Sequence, residues 1–190
     1  REQVVVNGVL RTVTLRPRHG NPVPRICETE AGFLNSIGLE NKGVQYYIEH
    51  VLPETRSADT VIVTNIGAES VEDFIEMART LAEREEIDAF EVNLSCPNVQ
   101  DGKLPFATDP DTAARVIAGV KQVCHKPVWA KLSPNVTRIS DMAKAVEAAG
   151  ADAIYCGLNK FNARNRATNI ELDELHEVLT LAHRHNCQVF

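Results

Sequence analysis

From residue 60 onward, short apolar runs and amphipathic stretches take strict turns along the chain, an order that few folds accommodate. Thr60 to Thr64 is a β-branched run of strand type, and Ser70 to Glu86 follows with Val71, Phe74, Ile75, Ala78, Leu81 and Ala82 at helical spacing. Ser70 with Asp73 has the form of a capping box at the start of that helix. Ala89 to Leu94 is the next strand; Asp109-Pro110 then sets an N-cap acceptor before a proline at the first helical position, opening a helix through Val116, Ile117, Val120 and Val123. Pro127 to Leu132 reads as strand, Ile139 to Ala149 as helix, Ala151 to Cys156 as strand, Leu172 to His185 as helix, and Cys187 to Phe190 as the opening of one more strand. Such alternation with short connections demands parallel strands joined by right-handed crossovers, so an α/β fold is expected. A closed (β/α)8 barrel typically takes about 250 residues. At 190 residues, a partial TIM barrel is the expected architecture.

Residues 1–57 differ, being dense in turn formers: Pro17, Gly20, Asn21, Pro22, Pro24, Gly32, Gly38 and Gly43. They are expected to form a long ordered loop region, and long loops inside compact domains are usually functional. The formal charge of −6 comes from scattered residues, which gives no electrostatic reason to expect nucleic acid or an anionic membrane as partner. No apolar run approaches membrane-spanning length. The five cysteines are odd in number, far apart and free of any C-x-x-C pair, and the six histidines show no metal-ligand spacing. A cytoplasmic protein without a structural metal is expected. The start at Arg1-Glu2-Gln3-Val4 reads as a chain that begins within a longer protein.

Parallel α/β folds meet their ligands at the carboxyl ends of the strands. The polar residues there are Asn65, then Asn93 with Ser95, Cys96 and Asn98, then Lys131. Amides, a thiol and an amine on successive strands suit a planar, imide-rich ligand and the stabilisation of negative charge. The absence of paired carboxylates disfavours glycosidase-type chemistry.

Glu91-Val-Asn-Leu-Ser-Cys-Pro-Asn98 is the most specific element. With Pro127-Val-Trp-Ala-Lys-Leu-Ser-Pro-Asn135, and with Thr14-Leu-Arg-Pro-Arg-His-Gly-Asn-Pro22 leading to Leu34-Asn-Ser-Ile-Gly-Leu-Glu-Asn41, it resembles the class 1 dihydroorotate dehydrogenases over residues 8–153. The first loop is most similar to the subtype that works with an iron–sulfur, FAD-containing electron-transfer subunit and passes electrons to NAD. The resemblance implies an FMN-dependent oxidation of dihydroorotate to orotate in pyrimidine biosynthesis, by a homodimer or heterotetramer. Cys96 is implied as general base, taking a proton from C5 while hydride leaves C6 for the flavin. Asn35, Ile37, Gly38, Leu39, Asn93 and Asn98 are implied to bind the substrate ring. Arg11, Thr12, Asn65, Asn93 and Lys131 are implied to bind FMN, with Lys131 stabilising the reduced flavin. Taken singly, Cys96 would more often be buried filler, Lys131 a solvated strand end, and Asn35 and Gly38 ordinary turn residues; the motif context decides between the readings.

The chain departs from that family in two readable places. Arg11 stands where the family has a lysine, keeping the charge but not the compact ammonium. From about residue 150 to Phe190, Gly-Ala-Asp-Ala-Ile-Tyr-x-Gly, Phe-Asn-Ala-Arg and Ala-His-Arg-His resemble instead the start of a U32-type peptidase or RNA-hydroxylation protein, and Leu158 replaces the family's orotate-holding Asn. A junction is therefore expected near residue 153, dividing a dehydrogenase-like segment 1–153 from a βα continuation 154–190, as in a chimera or fragment. A cofactor-free α/β fragment and a U32-type protein are the competing functional expectations.

Overall fold

The computed structural model describes residues 7–29, 32–95, 106, 108–134, 136–156, 159–162, 166–169 and 188–189. Its main sheet has six parallel strands: β1 (Asn7–Val9), β4 (Val61–Ile66), β5 (Ala89–Asn93), β6 (Val128–Leu132), β7 (Ala153–Cys156) and β10 (Gln188–Val189). They neighbour one another in chain order without a reversal. A doubly wound sheet needs a reversal to put helices on both faces, whereas right-handed crossovers that advance in one direction put every helix on the same face. The sheet accordingly curls into a half-barrel.

Helices α3 (Val71–Leu81), α4 (Pro110–Val123) and α5 (Ile139–Ala148) follow β4, β5 and β6 and pack on one another in that order. Their starts follow the residues that the sequence marks. The Ser70 Oγ accepts from the Asp73 N–H at 3.1 Å, and an Asp109 carboxylate oxygen accepts from the Thr112 N–H at 3.0 Å. Phe74, Met77 and Leu81 of α3, Val116, Ile117 and Val120 of α4, and Met142 and Val146 of α5 bury themselves against Ile66, Phe90, Val92, Val128, Ala130 and Ile154 of the strands. α3 stops at Leu81, short of the expected Glu86, because two successive turns, Arg84 N–H to Leu81 C=O and Ile87 N–H to Arg84 C=O, bring Ile87 back into the core ahead of β5.

Two aspartates clamp strand to strand by the same device. The Asp152 N–H donates to the Val128 C=O at 2.8 Å, and the Asp152 carboxylate accepts from the Val128 N–H at 2.7 Å. Asp88 does the same to Ile62, at 2.9 and 2.7 Å. Each clamp satisfies a backbone N–H at the start of a strand, which would otherwise be buried without a partner.

Residues 1–57 are more structured than their turn formers suggest. Besides β1 they hold the antiparallel pair β2 (Ile26–Thr29) and β3 (Gly32–Asn35), and a helical run made of α1 (Gly43–Tyr46), a π-helical turn (Tyr47–Val51) and α2 (Leu52–Thr55). The wide turn lies just before Pro53, whose ring would clash with the carbonyl four residues back in a regular α-helix. The run packs Tyr47 on the helix-side face of β4, with its hydroxyl 2.7 Å from the Thr64 Oγ1. A second antiparallel pair, β8 (Asn159–Asn162) and β9 (Arg166–Asn169), was not expected. β10 falls within the expected final strand, and the expected helix Leu172 to His185 lies outside the described residues. No helix among the described residues is long and apolar enough to cross a membrane.

Replacing Asp152 with Ala removes the acceptor from a buried N–H and is expected to lower stability by about 1–3 kcal/mol in urea unfolding, with Asp152→Asn costing less. Burial pushes the Tyr47 hydroxyl up to about 12, from an unfolded value of 10.0. The folded state thus keeps a proton that the unfolded chain releases first, so this stabilisation is complete below pH about 10 and declines as pH rises to about 12. Between those values wild type is expected to lose stability more steeply than Tyr47→Phe, compared by unfolding at each pH.

Candidate active site

Side chains alternate across a strand, and in-register pairing sorts them into levels. On the face away from the helices, Asn65, Glu91, Trp129 and Ala153 form one level across β4 to β7. Asn93, Lys131 and Tyr155 form the next, nearer the carboxyl ends. Three expected site residues, Asn65, Asn93 and Lys131, therefore stand on adjacent strands at one end of the sheet.

The polar contacts give each group a direction. The Asn65 Nδ2 donates to the Glu91 Oε1, which leaves the Asn65 Oδ1 buried and without a partner among the described residues. The Ser95 Oγ donates to the Asn93 Oδ1 at 2.7 Å, so Asn93 presents its amide N–H groups. The Lys131 Nζ lies 3.8 Å from the same Glu91 Oε1 and 5.6 Å from the centre of the Tyr155 ring, within cation–π reach. The constellation thus offers an acceptor from Asn65 and donors from Asn93 and Lys131. That set is complementary to a ring bearing an imide, with one N–H between carbonyls.

Glu91 is the residue that the sequence-based expectation omits. It is 4% exposed, and a buried carboxylate survives only where it is paired and hydrogen-bonded. The signal was its spacing: two residues before Asn93 in a strand, it must share the face of Asn93.

The loop carrying Asn35, Ile37, Gly38 and Leu39 is fastened to the segment before it. The Asn21 N–H donates to the Ile37 C=O at 3.0 Å, its Nδ2 to the Ser36 C=O at 2.8 Å, and the Ser36 N–H to the Arg25 C=O at 2.8 Å. Arg18 and Asn41 exchange backbone hydrogen bonds, and Arg18 forms an ion pair with Glu69 beyond the end of β4. Gly67, two residues past Asn65, marks the close approach: a Cβ there would lie 2.8 Å from the Thr12 Cγ2 and 3.5 Å from the Leu39 Cδ1. Thr12 and Leu39 are thus brought to the carboxyl end of β4. Gly38 and Leu39 both have positive φ, at 78° and 56°.

Arg11 is exposed and borders a cleft of about 340 Å³ between residues 10–13 and the helical run, with Lys42, Tyr46 and Val51. The contacts that join Asn65, Glu91 and Lys131 do not include it. Asn35 is exposed on β3. Cys96 and Asn98 lie outside the described residues, which end on this strand at Ser95.

The family model for dihydroorotate dehydrogenase matches residues 5–182. The dihydroorotate dehydrogenase B (NAD(+)) catalytic subunit of Oceanobacillus iheyensis is 47% identical over 151 residues, which cover 79% of this chain and 50% of the relative. That of Bacillus pumilus is 44% identical over 146 residues, covering 77% and 47%, and that of Geobacillus kaustophilus 46% identical over 146 residues with the same coverage. The chain spans about half the length of the curated relatives it matches. The family match continues through most of the stretch expected to resemble a U32-type protein, and none of these three relatives is of that type.

A Cβ on Gly38 would sit 2.9 Å from the Asn21 backbone nitrogen at a φ of +78°. Gly38→Ala is therefore expected to cost about 1–3 kcal/mol and to speed hydrogen exchange at the Asn21 and Asn41 amides while leaving strand amides protected.

Proposed function

The chain belongs to the dihydroorotate dehydrogenase family, and from that premise we propose that it oxidises dihydroorotate to orotate with FMN, as the catalytic partner of a separate electron-transfer subunit. The observation that carries the reading is the stacking of two polar levels, Asn65 with Glu91 and then Asn93 with Lys131, on the inward face at the carboxyl ends of parallel strands. The polar set fits FMN: a buried carboxamide oxygen that has no partner among the described residues would suit a ring N–H, and an ammonium and a carboxamide N–H would suit carbonyls or developing negative charge. Asn65, Asn93, Lys131 and Thr12 would hold the flavin, with Arg11 reaching it only by reorienting from its exposed position. Bound there, FMN supplies a two-electron acceptor.

The remaining work falls to the chain. Asn93, Asn98 and Asn35 bind the pyrimidine edge, and Ile37, Gly38 and Leu39 press the fastened loop against the ring. The Cys96 thiolate takes the proton from C5 as the C6–H bond gives up its hydrogen with both electrons, and the C5–C6 double bond forms. Lys131 offsets the negative charge that accumulates on the acceptor side. The role falls to Cys96 by the motif alone: in the sequence it directly follows Ser95, whose hydroxyl donates to Asn93.

A cofactor-free α/β module is the second reading, favoured by the exposure of Val9 (48%) and Tyr155 (37%) on the inward face. Titration of the purified protein with FMN separates the two. Retention of yellow, flavin-absorbing protein after gel filtration is expected, and colourless protein would favour the module. In the flavin-bound protein, Cys96→Ala is expected to lower dihydroorotate oxidation about 10²–10⁴-fold while FMN uptake is unchanged.

A further inference from the structure

Glu91 has no part in the reaction as set out above, yet it is the most buried carboxylate in the candidate site, at 4% exposure. Its Oε1 faces two site residues from neighbouring strands: the Asn65 Nδ2, by a hydrogen bond, and the Lys131 Nζ, at 3.8 Å. The second separation is too long for a hydrogen bond and within ion-pair distance, with the Glu91 carboxylate buried and the Lys131 side chain 34% exposed. An ionised carboxylate only accepts hydrogen bonds, so it compels Asn65 to turn its NH2 toward β5. The consequence is visible at the other end of the same amide, where the Oδ1 is buried and has no partner among the described residues. A carboxamide free to rotate would have no reason to leave that oxygen unmatched, because an unsatisfied buried acceptor costs free energy.

We propose that Glu91 is a positioning residue, whose buried carboxylate fixes the Asn65 amide with its oxygen toward the bound ring and tethers the Lys131 ammonium beside it. The inference rests on the flavin-binding reading and adds a residue that touches neither ring nor substrate. The charge of Glu91 also partly cancels that of Lys131, so the pair sets how strongly the site favours an electron-rich ring.

Two substitutions separate the two duties. Glu91→Gln keeps an acceptor for Asn65 and deletes the charge; Glu91→Leu deletes both. With FMN bound, Glu91→Gln is expected to move the flavin midpoint potential to a more positive value, since a buried negative charge beside the ring is then gone, with FMN affinity within about threefold of wild type. Glu91→Leu is expected to shift the potential in the same direction and to weaken FMN binding about tenfold, followed by flavin fluorescence. A role in folding alone would lower the unfolding temperature and leave the potential unmoved. An unchanged or more negative potential in Glu91→Gln overturns the proposal, as does wild-type FMN affinity in a folded Glu91→Leu. If Glu91→Leu does not fold, the potential of Glu91→Gln decides alone. Wild-type protein that takes up no FMN would overturn the functional reading and this inference together, whereas flavin-loaded wild type with indifferent variants overturns this inference only.

Discussion

In-register pairing of parallel strands is the constraint from which the rest of this molecule follows. Once Asn65 lies beside Glu91 and Asn93 beside Lys131, the two-residue period of a strand leaves no freedom in which side chains share a face. The same register sends Ile66, Val92, Ala130 and Ile154 to the opposite face, where the helices bury them completely. A slip of one residue in β6 would bury Lys131 against the helices, and a slip in β4, β5 or β6 would turn that strand's apolar side chains to the candidate site. The hydrophobic core thus enforces the geometry of the polar face.

Register needs fixed strand starts as well as a packed face, and the aspartate clamps supply them. Asp88 and Asp152 each close a two-bond ring on the first residues of the neighbouring strand, at the end opposite the polar cluster. Lys121 strengthens the second clamp by pairing with Asp152 at 2.8 Å, which also ties the last turn of α4 to the start of β7. The Gly-Ala-Asp-Ala element that leads into β7 therefore has a mechanical role here, carried by Asp152.

At the carboxyl ends the balance of forces changes. The candidate site buries a carboxylate, two carboxamides and part of an ammonium, a composition that weakens a core unless every group has a directed partner. Glu91 supplies most of that direction, drawing on residues from both adjacent strands. Arg18, Asn21 and Asn41 play the matching part in the loop before the helical run, holding residues 36–41 to the end of β4 by backbone and side-chain hydrogen bonds.

The alternation of elements, the parallel sheet, the N-caps at Ser70 and Asp109, and the grouping of Asn65, Asn93 and Lys131 were legible in the sequence. Each depends on periodicity or on contacts within a few residues, which the order of side chains specifies directly. The helical run at Gly43 to Thr55 was hidden by Gly43 and Pro53, because a π-helical turn accommodates the proline that sequence patterns read as a break. Glu91 was hidden for a different reason: a charged residue in a strand looks solvated until its neighbours are known. The chain by itself determined which residues face together along each strand. Only the tertiary structure decided that a single carboxylate oxygen would face Asn65 from one side and Lys131 from the other, because these partners lie 26 and 40 positions away in the chain and meet only through strand pairing.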